Sequence, residues 1–330
     1  MDQIAFIIGD TFLYWYSLII ALGAAAAVLL FWGFYLGTTG DALGAALCVP
    51  LSMALSIAAA RFAHWYCRAD SYASFAQAMT DYSSGGYALM GVFAACILTA
   101  LTLRLCRIVP SLPKLTDAMS LAGCAGIALG RLAPFYSAAD RGAIVTMTTL
   151  PWAYPVVNSV TGATEYRLAT FLLQSIVCAV IFGILVLGFF LTGKKRRPGD
   201  TTAFFFLLYC AAQIVLDSTR YDSLFMRSNG FVSFVQVLSA LAIAAVAVRF
   251  SVGLVKNRGF RGWYVGVWIG LLALMGGAGY MEYYVQRHGD RGVLAYSVMS
   301  ACLAAYCLGV TVIWALGRKP RPETVYPKED

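Results

Sequence analysis

Residues 168–192 read LATFLLQSIVCAVIFGILVLGFFLT and contain no charged side chain. A helix rises about 1.5 Å per residue, so a run of this length can cross a hydrocarbon layer about 30 Å thick. The whole chain has the matching composition, because 60% of its 330 residues are hydrophobic and 12% are charged. A soluble domain carries about 25% charged residues. The stretch therefore predicts a helix that spans a membrane.

Similar apolar runs lie on both sides of this stretch. We predict nine spans, at 12–35, 42–64, 86–105, 116–133, 168–192, 201–217, 232–254, 263–285 and 294–316. The count falls to seven or eight if 42–64 or 116–133 is partly re-entrant. The first run lacks the basic flank and the cleavage site of a signal peptide, so we expect it to be retained. The predicted fold class is an all-α, polytopic integral membrane protein.

The basic residues predict the orientation of these spans. With the N-terminus outside, 15 of the 24 basic residues lie in inner loops and the C-terminal tail, as the positive-inside rule favours. The net charge of +8 is thus a topology signal and no sign of nucleic-acid binding. The outer basic residues are all arginines: Arg61, Arg68, Arg131, Arg141, Arg167, Arg220, Arg227, Arg287 and Arg291. A charge near the end of a span is costly unless it is used, so some of these arginines are candidate site residues.

Polar residues concentrate in two outer segments and in the tail. Segments 65–85 and 134–167 are predicted to form loops or short surface helices on the outer leaflet. The tail 318–330 is charged and contains proline, which is typical of disorder. Motifs of soluble enzymes are missing, including nucleotide-binding loops and zinc-protease helices. With two histidines, and with cysteines mostly inside apolar runs, the sequence predicts no metal and no cofactor.

Two outer arginines have polar neighbours that suggest a phosphate site. Arg131 follows Gly130, and Arg220 lies in the segment Asp217–Leu224. A guanidinium group binds phosphate oxygens in pairs and always stays charged, which suits a phospholipid headgroup. The alternative is that each arginine reaches the membrane interface or pairs with a local aspartate. Asp217 and Arg220 are one helical turn apart and could form such a pair.

Six short motifs follow one another between residues 4 and 255. They are Ile8-Gly9 with Trp15-Tyr16, Ala60-Arg61, Gly85-Gly86 with Gly91, Gly130-Arg131 with Phe135, the segment 169–175, and Asp217-Ser218-Thr219-Arg220-Tyr221-Asp222-Ser223-Leu224. Their order and spacing resemble the prolipoprotein diacylglyceryl transferase family, of which the chain looks like a divergent member. The resemblance implies a seven-helix core at 1–255 and two added spans at 256–317, followed by the tail 318–330. The added spans either bind a membrane partner or cover the core.

The resemblance implies an enzyme of the bacterial inner membrane. With the orientation predicted from the basic residues, its C-terminus lies in the cytoplasm. Such enzymes take phosphatidylglycerol from the outer leaflet and transfer its diacylglyceryl group to the lipobox cysteine of a secreted preprotein. The product is a thioether, and glycerol phosphate leaves. The nucleophile belongs to the substrate, so the enzyme must hold the phosphate, stabilise the leaving charge and help to deprotonate the thiol.

Carrying the family motifs onto this chain gives candidate site residues. Arg131 and Arg220 are expected to hold the phosphate as catalytic residues. His64 matches no family motif, but it lies near Arg61 and is a candidate for the missing base; the alternative is a packing residue. Candidates for substrate binding are Tyr16, Arg61, Asp217, Asp222, Tyr136 and Ser137.

The chain departs from the family pattern at positions that handle protons. Pro134 and Ser137 stand where the family has asparagines, Ala139 and Gln174 stand where it has glutamates, and no histidine lies in 85–92. One alternative is therefore a catalytically weak relative that binds phospholipid or a lipoprotein precursor. Another is a lipid-group transferase with a different acceptor. A transporter or channel subunit with coincidental motif overlap is a third, but the sequence has no inverted repeat of the kind that many transporters contain.

Overall fold

The computed structural model describes residues 3–81, 85–137, 140–146, 152–157, 161–193, 197–226, 229–288 and 292–318. Three of the basic residues predicted to lie inside, Lys194, Lys195 and Arg196, and the part 319–330 of the predicted tail lie outside these residues. The helices are α1 (Trp15–Thr39), α2 (Ala42–Cys67), α3 (Phe75–Thr80), α4 (Leu89–Leu105), α5 (Leu112–Gly130), α6 (Thr170–Thr192), α7 (Asp200–Ser218), α8 (Phe234–Arg258), α9 (Trp263–Arg287) and α10 (Gly292–Gly317).

Every predicted span corresponds to one of these helices. In the described part of the chain, eight helices are long and apolar enough to cross a membrane. The ninth, α4, is also apolar but has 17 residues. The first predicted span begins three residues early, because Thr11–Tyr14 forms a strand before α1. The all-α membrane fold class predicted from the sequence is confirmed.

In the described part of the chain, three small antiparallel strand pairs precede or connect the helices. They pair β1 (Ile4–Ile8) with β2 (Thr11–Tyr14), β3 (Ala153–Val157) with β4 (Thr164–Leu168), and β5 (Phe225–Met226) with β6 (Asn229–Ser233). The prediction of loops or short helices over 134–167 missed the second hairpin. Its strands are rich in Val, Tyr and Thr, which favour extended backbone. The predicted surface helix in 65–85 is present as α3.

Small residues let the helices approach closely enough to frame a cavity. A Cβ built on Gly23 of α1 would lie 3.0 Å from the Gly126 carbonyl oxygen and 3.0 Å from the Gly130 nitrogen of α5. A Cβ on Gly91 of α4 would lie 2.3 Å from the Ala59 carbonyl oxygen of α2. Larger side chains would separate these pairs, as is usual at helix contacts in membranes.

Asp117 of α5 holds the start of α7. Its carboxylate accepts hydrogen bonds from the backbone N–H groups of Gly199 and Thr202, each 2.8 Å long, and from the Thr202 hydroxyl at 2.9 Å. The first N–H groups of a helix have no partner inside the helix, so an acceptor from a neighbouring helix completes them. This contact places α7 beside α5. Many of the residues of the candidate site described below lie on these two helices or directly after them.

The chain forms two compact units, residues 1–240 and 241–330. The second contains the end of α8, α9 and α10. Inside it, the Asn257 side chain donates to the Gly317 carbonyl at 2.8 Å, and the Trp268 indole donates to the Ser251 hydroxyl at 3.0 Å. The division expected at residue 255 stays a prediction.

Candidate active site

Arg131 and Arg220 meet on one carboxylate. Arg131 directly follows α5, and its Nη1 lies 2.6 Å from Oδ2 of Asp140. Arg220 lies two residues after α7, and its Nη2 lies 2.6 Å from Oδ1 of the same side chain. Each guanidinium group therefore binds a different oxygen of Asp140.

Two further aspartates orient Arg220. Its Nε donates to Oδ1 of Asp222 at 3.0 Å, and its Nη2 lies 2.9 Å from the same oxygen. Asp217, one turn earlier on α7, approaches Nη1 at 3.8 Å, so the local pair expected from the sequence forms as a longer contact. The other carboxylate oxygen of Asp217 accepts from the Ser233 hydroxyl. Arg220 is thus held by carboxylates on several sides.

Asp140 has an unusual backbone conformation that aims its side chain. Its φ is +56°, in the left-handed region that aspartate tolerates better than most residues. Its N–H donates to Oδ2 of Asp222 at 3.0 Å. Asp140 is not among the site residues predicted from the sequence, although it lies next to Ala139, where the family pattern has a glutamate. That neighbouring position was the signal that could have identified it.

The charges of this cluster stabilise one another. Burial raises the pKa of the Asp140 carboxyl, but Arg131 and Arg220 outweigh that effect, and the pKa lies below its usual value. Burial likewise lowers the pKa of Arg220, but Asp140 and Asp222 outweigh it, and the pKa lies above its usual value. Asp140 and Arg220 are therefore both charged at neutral pH.

Arg141 fixes the segment that carries Asp140. Its guanidinium carbon lies 4.1 Å from the centre of the Tyr154 ring and 4.5 Å from that of Phe171. Its Nη2 donates to the carbonyls of Pro134 and Ser137, each at 2.6 Å. Its own carbonyl accepts from the Tyr221 N–H at 2.9 Å. The segment is thereby tied to both the end of α5 and the Arg220 loop.

An apolar cavity of about 630 Å³ opens from the arginine cluster. Helices α1, α2, α4, α5 and α7 contribute most of its lining. Its polar end has Tyr16, Arg131, Asp140, Asp217 and Arg220, and its far end has Thr116, Ser120 and Thr202. From Thr116 to Gly130, the end of α5, the helix rises about 21 Å, and Arg131 follows directly. The cavity thus has a charged head and a long apolar body.

The family model of the prolipoprotein diacylglyceryl transferases matches residues 3–252. The chain belongs to this family. The family predicted from the sequence motifs is confirmed, and α9 and α10 lie outside the matched residues. Family membership and the apolar helices together make this a multi-pass bacterial membrane protein.

Curated relatives match at low identity over most of their length. The phosphatidylglycerol–prolipoprotein diacylglyceryl transferase of Finegoldia magna is 26% identical over 263 residues, which cover 78% of this chain and 99% of the relative. The enzyme of the same name from Clostridium kluyveri is 27% identical over 266 residues, with coverages of 79% and 99%. That of Thermotoga maritima is 29% identical over 164 residues, with coverages of 48% and 53%.

Most of the residues predicted for this transferase-family site come together. Tyr16, Arg131, Asp217 and Arg220 line the cavity, and Asp222 binds Arg220 directly. Tyr136 and Ser137 do not line the cavity and instead contact residues next to the cluster. The Tyr136 ring stacks on Trp15 with centroids 5.7 Å apart, and the Ser137 carbonyl accepts from Arg141.

Arg61 and His64 are placed differently from the other predicted residues. Arg61 is 1% exposed, and its guanidinium donates to the carbonyls of Ala78, Asp81, Gly85 and Gly86. Arg61 therefore holds the segment that follows α2. Its guanidinium carbon lies 5.3 Å from the centre of the Tyr87 ring, and Tyr87 lines the cavity.

The ring Nδ1 of His64 lies 3.1 Å from the Tyr72 hydroxyl. Among the described residues, neither Arg61 nor His64 is part of the cavity lining. The geometry gives no support to their expected roles in substrate binding and proton transfer, and both roles stay predictions.

Proposed function

We propose that this protein is a phosphatidylglycerol–prolipoprotein diacylglyceryl transferase. It moves the diacylglyceryl group of phosphatidylglycerol to a cysteine thiol of a prolipoprotein. Family membership over residues 3–252 and the names of the curated relatives support this reaction. The cavity supports the substrate class, because its charged head and apolar body match a phospholipid.

The convergence of Arg131 and Arg220 on two oxygens of one anion is the observation that carries the proposal. A phosphodiester offers two anionic oxygens with a similar separation. The lipid phosphate would therefore bind the same two guanidinium groups, in competition with Asp140. Paired arginine contacts of this kind give both binding energy and orientation.

The reaction follows from this placement. The thiol sulfur attacks the carbon of the diacylglyceryl group that is bonded to the phosphate oxygen. A C–S bond forms as the bond between that carbon and the phosphate oxygen breaks. The electron pair of the broken bond leaves with glycerol phosphate, which takes up the proton lost by the thiol. Arg131 and Arg220 stabilise the charge that develops on the leaving phosphate. The acyl tails stay in the apolar body of the cavity throughout.

The proposal includes an orientation and a role for the added helices. The arginine cluster faces the outer leaflet, with the N-terminus outside and the C-terminus in the cytoplasm, in accord with the positive-inside rule. The substrates are phosphatidylglycerol and a preprotein with a lipobox cysteine. Helices α9 and α10, which lie outside the family match, would contact a partner within the membrane.

A transfer assay tests the reaction. Purified protein is incubated with phosphatidylglycerol and a lipobox peptide, and mass spectrometry follows the addition of a diacylglyceryl group to the peptide cysteine. We expect transfer by the unchanged protein. Arg131→Gln or Arg220→Gln should slow it roughly 100-fold or more, the usual effect of removing a group that stabilises developing charge.

Arg68→Gln is the matched control, because Arg68 is an exposed arginine that follows α2 and lies outside the cavity lining. Its transfer rate should equal that of the unchanged protein. Folded, lipid-bound protein that modifies no peptide would refute the activity. Full transfer by both cluster variants would refute the assignment of the phosphate site.

A further inference from the structure

Two glutamines meet inside the helix bundle below the arginine cluster. Gln174 of α6 and Gln213 of α7 are 0% and 2% exposed. The Nε2 of Gln174 donates to Oε1 of Gln213 at 3.2 Å. Within the described part of the chain, Nε2 of Gln213 and Oε1 of Gln174 have no hydrogen-bond partner. The pair is thus only half satisfied.

An amide donor without a partner is costly in this setting. The surrounding bilayer offers no water to replace the missing acceptor, and membrane proteins normally satisfy such groups internally. Gln213 differs from Gln174 because it lines the cavity. Its unpartnered donor is therefore placed where a bound molecule could accept the hydrogen bond.

The position of Gln213 along α7 shows which part of a lipid it would meet. Gln213 and Asp217 are four residues apart, so they lie on one face of α7, and Arg220 follows the end of that helix. Along the helix axis, Gln213 lies about 8 Å from the end beyond which Arg220 lies. A phospholipid with its phosphate at Arg220 would extend its glycerol esters past Asp217 toward Gln213. Aliphatic tails begin beyond that depth.

We propose that Gln213 donates a hydrogen bond from Nε2 to an ester carbonyl of the bound lipid. This inference rests on the proposed function and names the residue that recognises the ester linkage of the bound lipid. An ester carbonyl is a good acceptor and has no donor of its own, which matches the unpartnered Nε2. A dialkyl ether lipid lacks that carbonyl. The site therefore distinguishes ester-linked from ether-linked phosphatidylglycerol.

A binding competition tests this distinction without measuring activity. Purified protein is exchanged with equal amounts of diacyl phosphatidylglycerol and its dialkyl ether analogue of the same chain length. Native mass spectrometry then compares the two retained lipids. We expect the unchanged protein to prefer the ester lipid roughly fivefold, the usual effect of one neutral hydrogen bond. Gln213→Met, which has a similar size and no donor, should retain both lipids equally.

Gln174→Met is the matched control. It removes the contact between the two amides but keeps Nε2 of Gln213, so the preference for the ester lipid should remain. Equal retention of both lipids by the unchanged protein overturns the role of Gln213 and leaves the proposed lipid site standing. A preference lost equally in both variants also overturns it, because the effect would then be structural. Retention of neither lipid by the unchanged protein overturns the lipid site itself and this inference with it.

Discussion

At the scale of single residues, Asp140 decides the state of the site. Arg131 and Arg220 carry like charges and would repel each other at this short separation unless an anion lay between them. In the protein without substrate, Asp140 supplies that anion. Under the proposed function, the lipid phosphate would compete with a carboxylate that is already in place. The arginine side chains thus keep their positions and their charges when no substrate is bound.

The stability that Asp140 contributes should depend on pH. Because its pKa is lowered in the folded protein, its contribution is complete above the usual carboxyl pKa of about 4 and is lost as pH falls through the folded value. The thermal unfolding temperature of purified protein, measured from neutral pH down to roughly pH 3, should therefore fall less steeply for Asp140→Asn than for the unchanged chain.

The control for this measurement is Asp70→Asn, since Asp70 is an exposed carboxylate in the segment after α2. Its unfolding profile should follow that of the unchanged protein. Identical acid profiles for Asp140→Asn and the unchanged protein would show that the carboxylate does not stabilise the fold.

At the scale of elements, glycines on α5 serve two purposes. Gly126 allows α1 to approach, because a Cβ built on it would lie 2.8 Å from the Cβ of Ala27, and Gly123 leaves space inside the cavity. In the described part of the chain, no atom lies within 4 Å of a Cβ built on Gly123. A Cβ can therefore be added at Gly123 without displacing the backbone, at a position that lines the cavity.

Filling this space should block lipid binding without unfolding the protein. Gly123→Phe would place a ring in the apolar body of the cavity, where the acyl tails are proposed to lie. We expect co-purified phosphatidylglycerol and the rate of transfer to fall together, by roughly tenfold or more, since the ring and the tails cannot share the space. Quantitative lipid mass spectrometry and the peptide assay measure the two effects.

Gly188→Phe provides the comparison, because Gly188 of α6 is exposed and its Cβ would also have open space. It should retain lipid and activity, and both variants should have the unfolding temperature of the unchanged protein. Normal lipid retention by Gly123→Phe would mean that the tails lie elsewhere.

At the scale of the whole molecule, the orientation in the membrane has a direct test. The proposed topology places Asp70 outside and Cys106, which follows α4, inside; both positions are exposed. On intact bacterial cells, a thiol reagent that cannot cross membranes should label Asp70→Cys in a background without other cysteines. A variant that keeps Cys106 alone should react after lysis only. The reverse pattern would invert the topology.

Much of this molecule follows from local sequence. Runs of apolar residues determine the spans, because a helix of about 20 such residues is the stable way to cross a bilayer. Short motifs of fixed spacing were enough to predict the family, and Arg131 and Arg220 were predicted as a pair from them. These features depend on neighbours in the chain, so they can be read without a structure.

Other features depend on contacts between distant segments, and only the tertiary structure decided them. Asp140 is a site residue because a left-handed backbone turn brings it between two helix ends. Arg61 carries a guanidinium group that could bind a phosphate, yet that group donates its hydrogen bonds to backbone carbonyls up to 25 residues away. Gln213 has its proposed role because it lies on the face of α7 that lines the cavity. Its hydrogen bond with Gln174 of α6 uses its Oε1 and leaves its Nε2 without a partner among the described residues. Sequence determines which groups are present, but folding determines which of them already have partners.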